Sequence, residues 1–301
     1  VFTGVTVTSD VVYANNISVL PMLQSLPPAA TDLVCDIYEP TGDSIVNRPV
    51  IIVANTGSFL PAVINGQPTG TKTDSSIVEQ CTRWAKKGYV AVAFSNRLGW
   101  NPTSTDQDVR TSSLIQAAYR GIQDARAMVR YMRMTEATGN TYGIDPNTIF
   151  AGGYSAGAVT AIHLAYLDSV SDLPTSPFDI QAVANNLGGI EGDAGNIGYS
   201  SSINGIISFA GGINQLNWID SSDEPIFSAQ GDNDVIVNYN CGPGLNNPTV
   251  LNLCGLAEIH PICDSLGITN QSLTFNNVDH LWVIGNTQIE FIEAVDSAVS
   301  F

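Results

Sequence analysis

Residues 148–167 read TIFAGGYSAGAVTAIHLAYL: a short apolar run ending in two glycines, then a serine, then a helical pattern. Within it, Gly153-Tyr154-Ser155-Ala156-Gly157 has the form G-x-S-x-G and lies between a predicted strand and a predicted helix. A serine at so sharp a turn is held in a strained backbone conformation that exposes its hydroxyl, and flanking glycines remove side chains that would clash there. The helix start behind it offers free N–H groups and the positive end of a dipole, which suits a developing oxyanion. A glycine-rich turn that merely ends a strand has the same composition. The strand-to-helix setting is what favours a nucleophile at Ser155.

Outward from this turn, short apolar runs alternate with longer stretches of three-to-four-residue apolar spacing, the pattern of βαβ units. PVIIVANTG at 49–57 and YVAVAFSN at 89–96 are dense enough to be strands buried on both faces, and TIFAGG, GIISFAGG, PIFSAQGD and SLTFNN continue the series. Two N-terminal segments, TGVTVTSDVVYA and DLVCDIYEP, alternate instead, while helical spacing runs through residues 75–88, 113–139 and 289–300. The expected fold class is α/β, a mostly parallel twisted sheet with helices on both faces, in a single domain over residues 1–301. Two insertions break the rhythm. Residues 169–203 carry five glycines between 188 and 198, and residues 238–268 carry three of the five cysteines. Long loops on such a scaffold are expected to wall a site.

A serine hydroxyl needs a base within hydrogen-bond reach, itself oriented by an acid. The chain has three histidines. His163 lies on the same helix as Ser155, about 12 Å further along its axis, and reads as a packed helix residue. His260, ahead of Pro261 in the second insertion, reads as a loop or rim residue. His280 follows the strand SLTFNN in a short turn before the last helix, where a strand end delivers its side chain to the top of the sheet, and is the expected base. Asp232 and Asp234 both follow the strand PIFSAQ and either could reach that histidine. Asp234 is preferred because two further loop residues carry it towards the histidine turn, with Asp232 expected to cap its own turn. After the strand PVIIVA comes Asn55-Thr56-Gly57-Ser58-Phe59, whose small residues let backbone approach a substrate oxygen; Gly57, Ser58 and Ala156 are the expected oxyanion donors. Phe59, Trp100, Tyr154 and Trp282 flank these motifs and are candidates for a substrate wall. No metal or organic cofactor is implied.

Composition narrows the partners. With 28 acidic against 11 basic residues the net charge is −17, which disfavours nucleic acid and anionic membranes. No apolar run approaches the roughly 20 residues that span a bilayer. The opening VFTGVTVTSD lacks the features of an export signal, so the numbering is expected to start after one was removed. Low charge and few lysines suit a secreted protein, in saline surroundings, and a monomer is expected. The cysteines form no C-x-x-C pair; Cys241, Cys254 and Cys263 crowd into 23 residues and point to a local disulfide of open connectivity, while Cys35 and Cys81 lie on core faces.

Several of these segments together resemble the α/β-hydrolase superfamily and, within it, the carboxylesterase and lipase branch that includes type B carboxylesterases. DIYEPTGDSIVNRPVIIVANTGSF is similar to that branch's strand and oxyanion loop, SNRLGW to its turn after the fourth strand, YGIDPNTIFAGGYSAGA to its approach to the serine, and QGDNDVIV to its acid turn. The likeness covers residues 31–160 well and the remainder loosely. It implies an α/β-hydrolase fold with Ser155, Asp234 and His280 as nucleophile, acid and base, in the chain order of that fold, and Gly57, Ser58 and Ala156 around the oxyanion. Asn55-Thr56-Gly57-Ser58 stands where the branch commonly has His-Gly-Gly-Gly, and Tyr154 where type B enzymes have glutamate. No large cap domain fits the length, so an open or lightly lidded cleft is expected. The function implied is hydrolysis of short-chain or polymer-derived carboxylic esters through an acyl-enzyme. Alternatives are a serine peptidase of the prolyl-peptidase kind, which usually brings a gating domain, and a binding module on a hydrolase scaffold, which usually lacks a member of the triad.

Overall fold

Burial alternates along the central strands, and that alternation sets the layers. The computed structural model describes residues 2–176 and 178–301. In chain order the elements are β1 (Val5–Ser18), β2 (Ala29–Pro40), β3 (Arg48–Ala54), α1 (Ala62–Asn65), α2 (Ser75–Lys86), β4 (Val90–Phe94), α3 (Gln107–Ala137), β5 (Ile144–Tyr154), α4 (Ala156–Tyr166), α5 (Ile180–Asn186), β6 (Gly205–Phe209), β7 (Ile226–Gly231), β8 (Cys241–Pro243), β9 (Asn252–Cys254), α6 (Leu256–Leu266), β10 (Asn270–Phe275) and α7 (Ile289–Ser297). Val50, Ile52 and Ala54 of β3 join one core with residues of α3, α4 and α6, while Ile51 and Val53 join a second core with α2 and α7. Helices therefore cover both faces of the sheet, which is why its central strands read as unbroken apolar runs.

The sheet has eight strands in the order β1-β2-β4-β3-β5-β6-β7-β10. Only β2 runs against its neighbours; β4-β3-β5-β6-β7-β10 are parallel. The chain leaves β3 towards β4 on one side and leaves β5 towards β6 on the other. Strand order thus reverses at the β3–β5 pair, and a crevice opens above their C-terminal ends. The Asn55–Phe59 loop and Ser155 lie at this point.

The two insertions differ from the sequence reading. Within 169–203 lies α5, and 238–268 is not one loop: β8 and β9 pair in its first part, and Leu256–Leu266 is α6, the helix leading into β10. Pro261 sits inside that helix, yet burial of Leu256, Ile259, His260 and Cys263 holds it. Tertiary packing here overrides a helix breaker. Cys241 and Cys254 form the disulfide and clip β8 to β9; Cys35, Cys81 and Cys263 are free and buried. Among the described residues no helix is long and apolar enough to cross a membrane.

Candidate active site

Ser155 follows directly on β5 and serves as the N-cap of α4, with φ 54° and ψ −120°. This left-handed conformation is unfavourable for a residue with a Cβ and is kept only by close packing. A Cβ on Gly153 would come within 2.5 Å of Gly157, and one on Gly157 within 2.5 Å of the Ala54 carbonyl oxygen, so both glycines are required for α4 to dock against β3 and β5. The Ser155 hydroxyl lies 2.8 Å from Nε2 of His280, and Nδ1 of His280 lies 2.7 Å from Oδ2 of Asp234. All three side chains are buried. A base, a hydroxyl and a carboxylate in one file from three strand ends is the arrangement that draws a proton from serine and steadies the resulting imidazolium.

Each member is held by its own turn. Asp279 accepts a hydrogen bond from the Leu281 N–H and caps the 3-10 turn that carries His280. Asp234 accepts from the N–H groups of Ile236 and Val237 through Oδ1, and from the Gln230 side chain through Oδ2. Gln230 also donates to the Val237 carbonyl and accepts from the Leu256 N–H, so it ties the acid turn to α6. Nothing in the sequence singled out this glutamine. Asp232 does not cap its own turn as expected; it accepts from the Asn277 N–H and joins the acid turn to the histidine turn, because β7 and β10 are adjacent and parallel.

The Asn55–Phe59 loop turns through three consecutive left-handed residues, Gly57 (φ 91°), Ser58 (φ 55°) and Phe59 (φ 58°). The Gly57 carbonyl accepts from Asn65 and Leu60, and the Ser58 carbonyl accepts from the Trp100 indole N–H at 2.8 Å. In a planar trans peptide the N–H opposes the C=O. The Ser58 and Phe59 N–H groups therefore point away from Asn65 and Trp100, and both residues line the same cavity as Ser155 and Ala156. Gly57 does not line it. Among the described residues the N–H groups of Gly57, Ser58, Phe59 and Ala156 have no acceptor within the protein. Phe59 was read from the sequence as a side-chain wall alone, and its peptide N–H was missed. Asn55 bridges the Asn96 N–H and the Gly70 carbonyl, fixing the loop between β3 and β4.

Beside Ser155 lies a cavity of about 120 Å³ with almost wholly apolar walls, formed by α3, α4, Leu173 and Pro174 of the first insertion, and residues 236–253. His163 lines it. Its Nδ1 donates to the Val159 carbonyl, its Nε2 accepts from the Asn214 N–H, and burial pushes its pKa down to about 4.

No protein-family model and no curated protein matches the sequence. Among solved structures, a thermophilic esterase from the planctomycete Thermogutta terrifontis with propionate bound superposes with a TM-score of 0.61 at 18% identity, covering 99% of this chain and 93% of that one. A truncated carbohydrate esterase from gut microbiota gives 0.62 at 16% identity, over 98% and 95% of the two chains. The Thermogutta terrifontis esterase 2 phosphorylated by paraoxon gives 0.60 at 18% identity, over 100% and 94%. The fold is that of the α/β-hydrolases.

On this α/β-hydrolase scaffold the remaining sequence candidates take other places. Trp100 does not wall the cavity; its indole holds the Ser58 carbonyl, since the SNRLGW turn runs beside the Asn55–Phe59 loop. Tyr154 lies under His280, donating to the His280 carbonyl at 2.9 Å with its ring 5.1 Å from the imidazole, because alternate residues of β5 point to opposite faces. Burial, with the nearby Asp234 and Asp279 carboxylates, raises its phenol pKa and keeps it a donor. Trp282 is a core residue packed on Phe209 and Phe275, two residues beyond His280 in a 3-10 turn and so rotated away from it. His260 is no rim residue; it is buried on α6, where Nδ1 pairs with Asn270.

Proposed function

We propose that the protein is a serine hydrolase of carboxylic esters. The observation that carries this reading is the continuous hydrogen-bonded file from Asp234 through His280 to Ser155, ending at an apolar cavity. Ser155 attacks the ester carbonyl as His280 takes its proton, Asp234 holds the imidazole in the useful tautomer, and the N–H groups of Ser58, Phe59 and Ala156 receive the oxyanion. His280 then protonates the departing alcohol, and water attacks the acyl-enzyme by the reverse path. Tyr154 and Gln230 are positioning residues. Esterases among the structural neighbours, one with propionate bound and one phosphorylated by paraoxon, support the reading. The walls favour an ester with an apolar acyl part, on a small molecule or released from a polymer. The Cys241–Cys254 disulfide supports an oxidising, extracellular location.

Hydrolysis of p-nitrophenyl esters and of chromogenic peptide amides by the wild type and by Ser155→Ala tests this. Ester turnover that falls by about 10⁴ or more in Ser155→Ala is expected. Peptide cleavage outrunning ester cleavage would move the assignment to a peptidase, and equal rates for the two proteins would remove it.

A further inference from the structure

The oxyanion loop is built on a turn that its own residues disfavour. The Leu60 N–H donates to the Gly57 carbonyl at 2.9 Å, closing a four-residue turn whose central residues, Ser58 and Phe59, both have positive φ, 55° and 58°. That is a type I′ turn, which favours Asn-Gly or Gly-Gly because both central residues are left-handed. A bulky side chain such as Phe59 is strained there. Turning the central Ser58–Phe59 peptide over gives the type II′ turn, in which the second central residue returns to negative φ. The strain at Phe59 would be relieved. The same rotation reverses both ends of that peptide, so the Phe59 N–H would leave the cavity beside Ser155 and the Ser58 carbonyl would face a developing oxyanion instead.

What opposes the rotation is Trp100. Its indole N–H donates to the Ser58 carbonyl at 2.8 Å, a bond that exists only with the peptide in its present orientation. The indole is firmly mounted. The Gly99 N–H donates to the Phe59 carbonyl at 2.8 Å, the Gly99 carbonyl accepts from Arg120, and Arg97 is held through backbone and side chain by the buried Asp124. The Gly57 and Leu60 carbonyls, outside the central peptide, keep Asn65 as their donor in either turn. The choice between the two turns therefore falls to the Trp100 bond.

Given the ester-hydrolase reading above, on which this rests, we propose that Trp100 is a positioning residue that keeps the Ser58–Phe59 peptide turned with its N–H towards the substrate oxygen. Trp100 does not line the cavity and acts only through the Ser58 carbonyl.

The test is Trp100→Phe, which removes the N–H and keeps an aromatic ring, assayed on p-nitrophenyl esters. Both kcat and kcat/KM should fall together by about 10- to 100-fold, with KM moving less than about threefold, since a donor to the transition state is lost and ground-state binding is not. In a Phe59→Gly background, where glycine takes the left-handed φ without strain, the same Trp100→Phe change should cost less than about threefold. Should Phe59→Gly alone lack measurable turnover, the kcat-against-KM split of Trp100→Phe decides. If Trp100→Phe does not fold by circular dichroism, β-(3-benzothienyl)alanine at position 100, a tryptophan isostere with sulfur in place of the N–H, replaces it in both backgrounds. Equal losses in the two backgrounds, a loss confined to KM, or undiminished kcat in the folded variant overturns the proposal while leaving the hydrolase reading intact. A wild type inactive on every ester overturns the hydrolase reading itself, and this proposal with it.

Discussion

The two irregular insertions look alike in sequence and are held to the body of the molecule in different ways. The glycine-rich one is fixed by arginines of α3. Arg130 donates to the carbonyls of Glu191, Ala194 and Gly195 and to the Glu191 carboxylate, and Arg133 donates to the Ser200 carbonyl. Arg126 joins Glu191 and Ser201 to the C-terminal carbonyls of α4, Leu164 and Leu167. The cysteine-bearing insertion is clipped by one disulfide and hydrogen-bonds to α3 at its tip, where Thr249 accepts from Arg110 and Thr111. Among the described residues of the first insertion only Leu173 and Pro174 line the cavity; the second supplies Gly244, Leu245, Val250, Leu251 and Leu253. One insertion is anchored by arginines of α3, and the other supplies more of the cavity wall.

That contrast can be broken from the first side most forcefully. Arg130→Met strands three backbone carbonyls that have no other partner in the turn, and should cost about 3 kcal/mol with a matching drop in Tm, leaving acyl preference as in the wild type. A shifted chain-length optimum in this variant would blur the distinction between the insertions.

On the cavity side, His163 gives a comparable but pH-dependent effect. Its folded pKa of about 4 lies below the usual value near 6.5, so the unfolded chain binds the extra proton between those values and stability is lost as pH falls through that window. Asp223, pushed up to about 7 by burial beside Asp168, Asp220 and Glu224, works in the opposite sense, so the difference between proteins is the quantity to measure. Relative to His163→Gln, the wild type should lose up to about 3 kcal/mol between pH 6.5 and 4. A pH-independent difference would mean that His163 is not buried neutral.

The disulfide should have the smallest effect on global stability. Closing a loop of 13 residues is worth about 3 kcal/mol when it is coupled to the whole fold, but a hairpin outside the main sheet opens locally, and about 1–2 kcal/mol is expected for Cys241→Ser with Cys254→Ser. Its mark should be kinetic. The acyl-length profile of kcat/KM should change in that variant, and a profile identical to the wild type would detach the hairpin from specificity.

The meeting of Ser155, His280 and Asp234 was legible because strand-end motifs encode their own geometry. G-x-S-x-G fixes a turn, and acid and histidine turns after β7 and β10 reach the same edge once the strands are parallel. The walls were not legible. Trp100, Tyr154 and Trp282 sit next to motifs in sequence, yet the face each side chain takes is decided by β pleat, 3-10 pitch and packing between distant segments. His163 was read correctly as packed, but that it also lines a cavity depends on α3, Trp218 and the hairpin, none of them near it in sequence. Pro261 hid a helix because its local penalty is visible in the sequence while the burial that offsets it is not.

Covalent labelling tests the central claim most directly. Incubation with a fluorophosphonate, followed by peptide mass spectrometry, should place one adduct on Ser155, with labelling slowed by orders of magnitude in His280→Ala. Labelling at another residue, or an unlabelled Ser155 in folded protein, would contradict the assignment of Ser155, His280 and Asp234 as the reacting group.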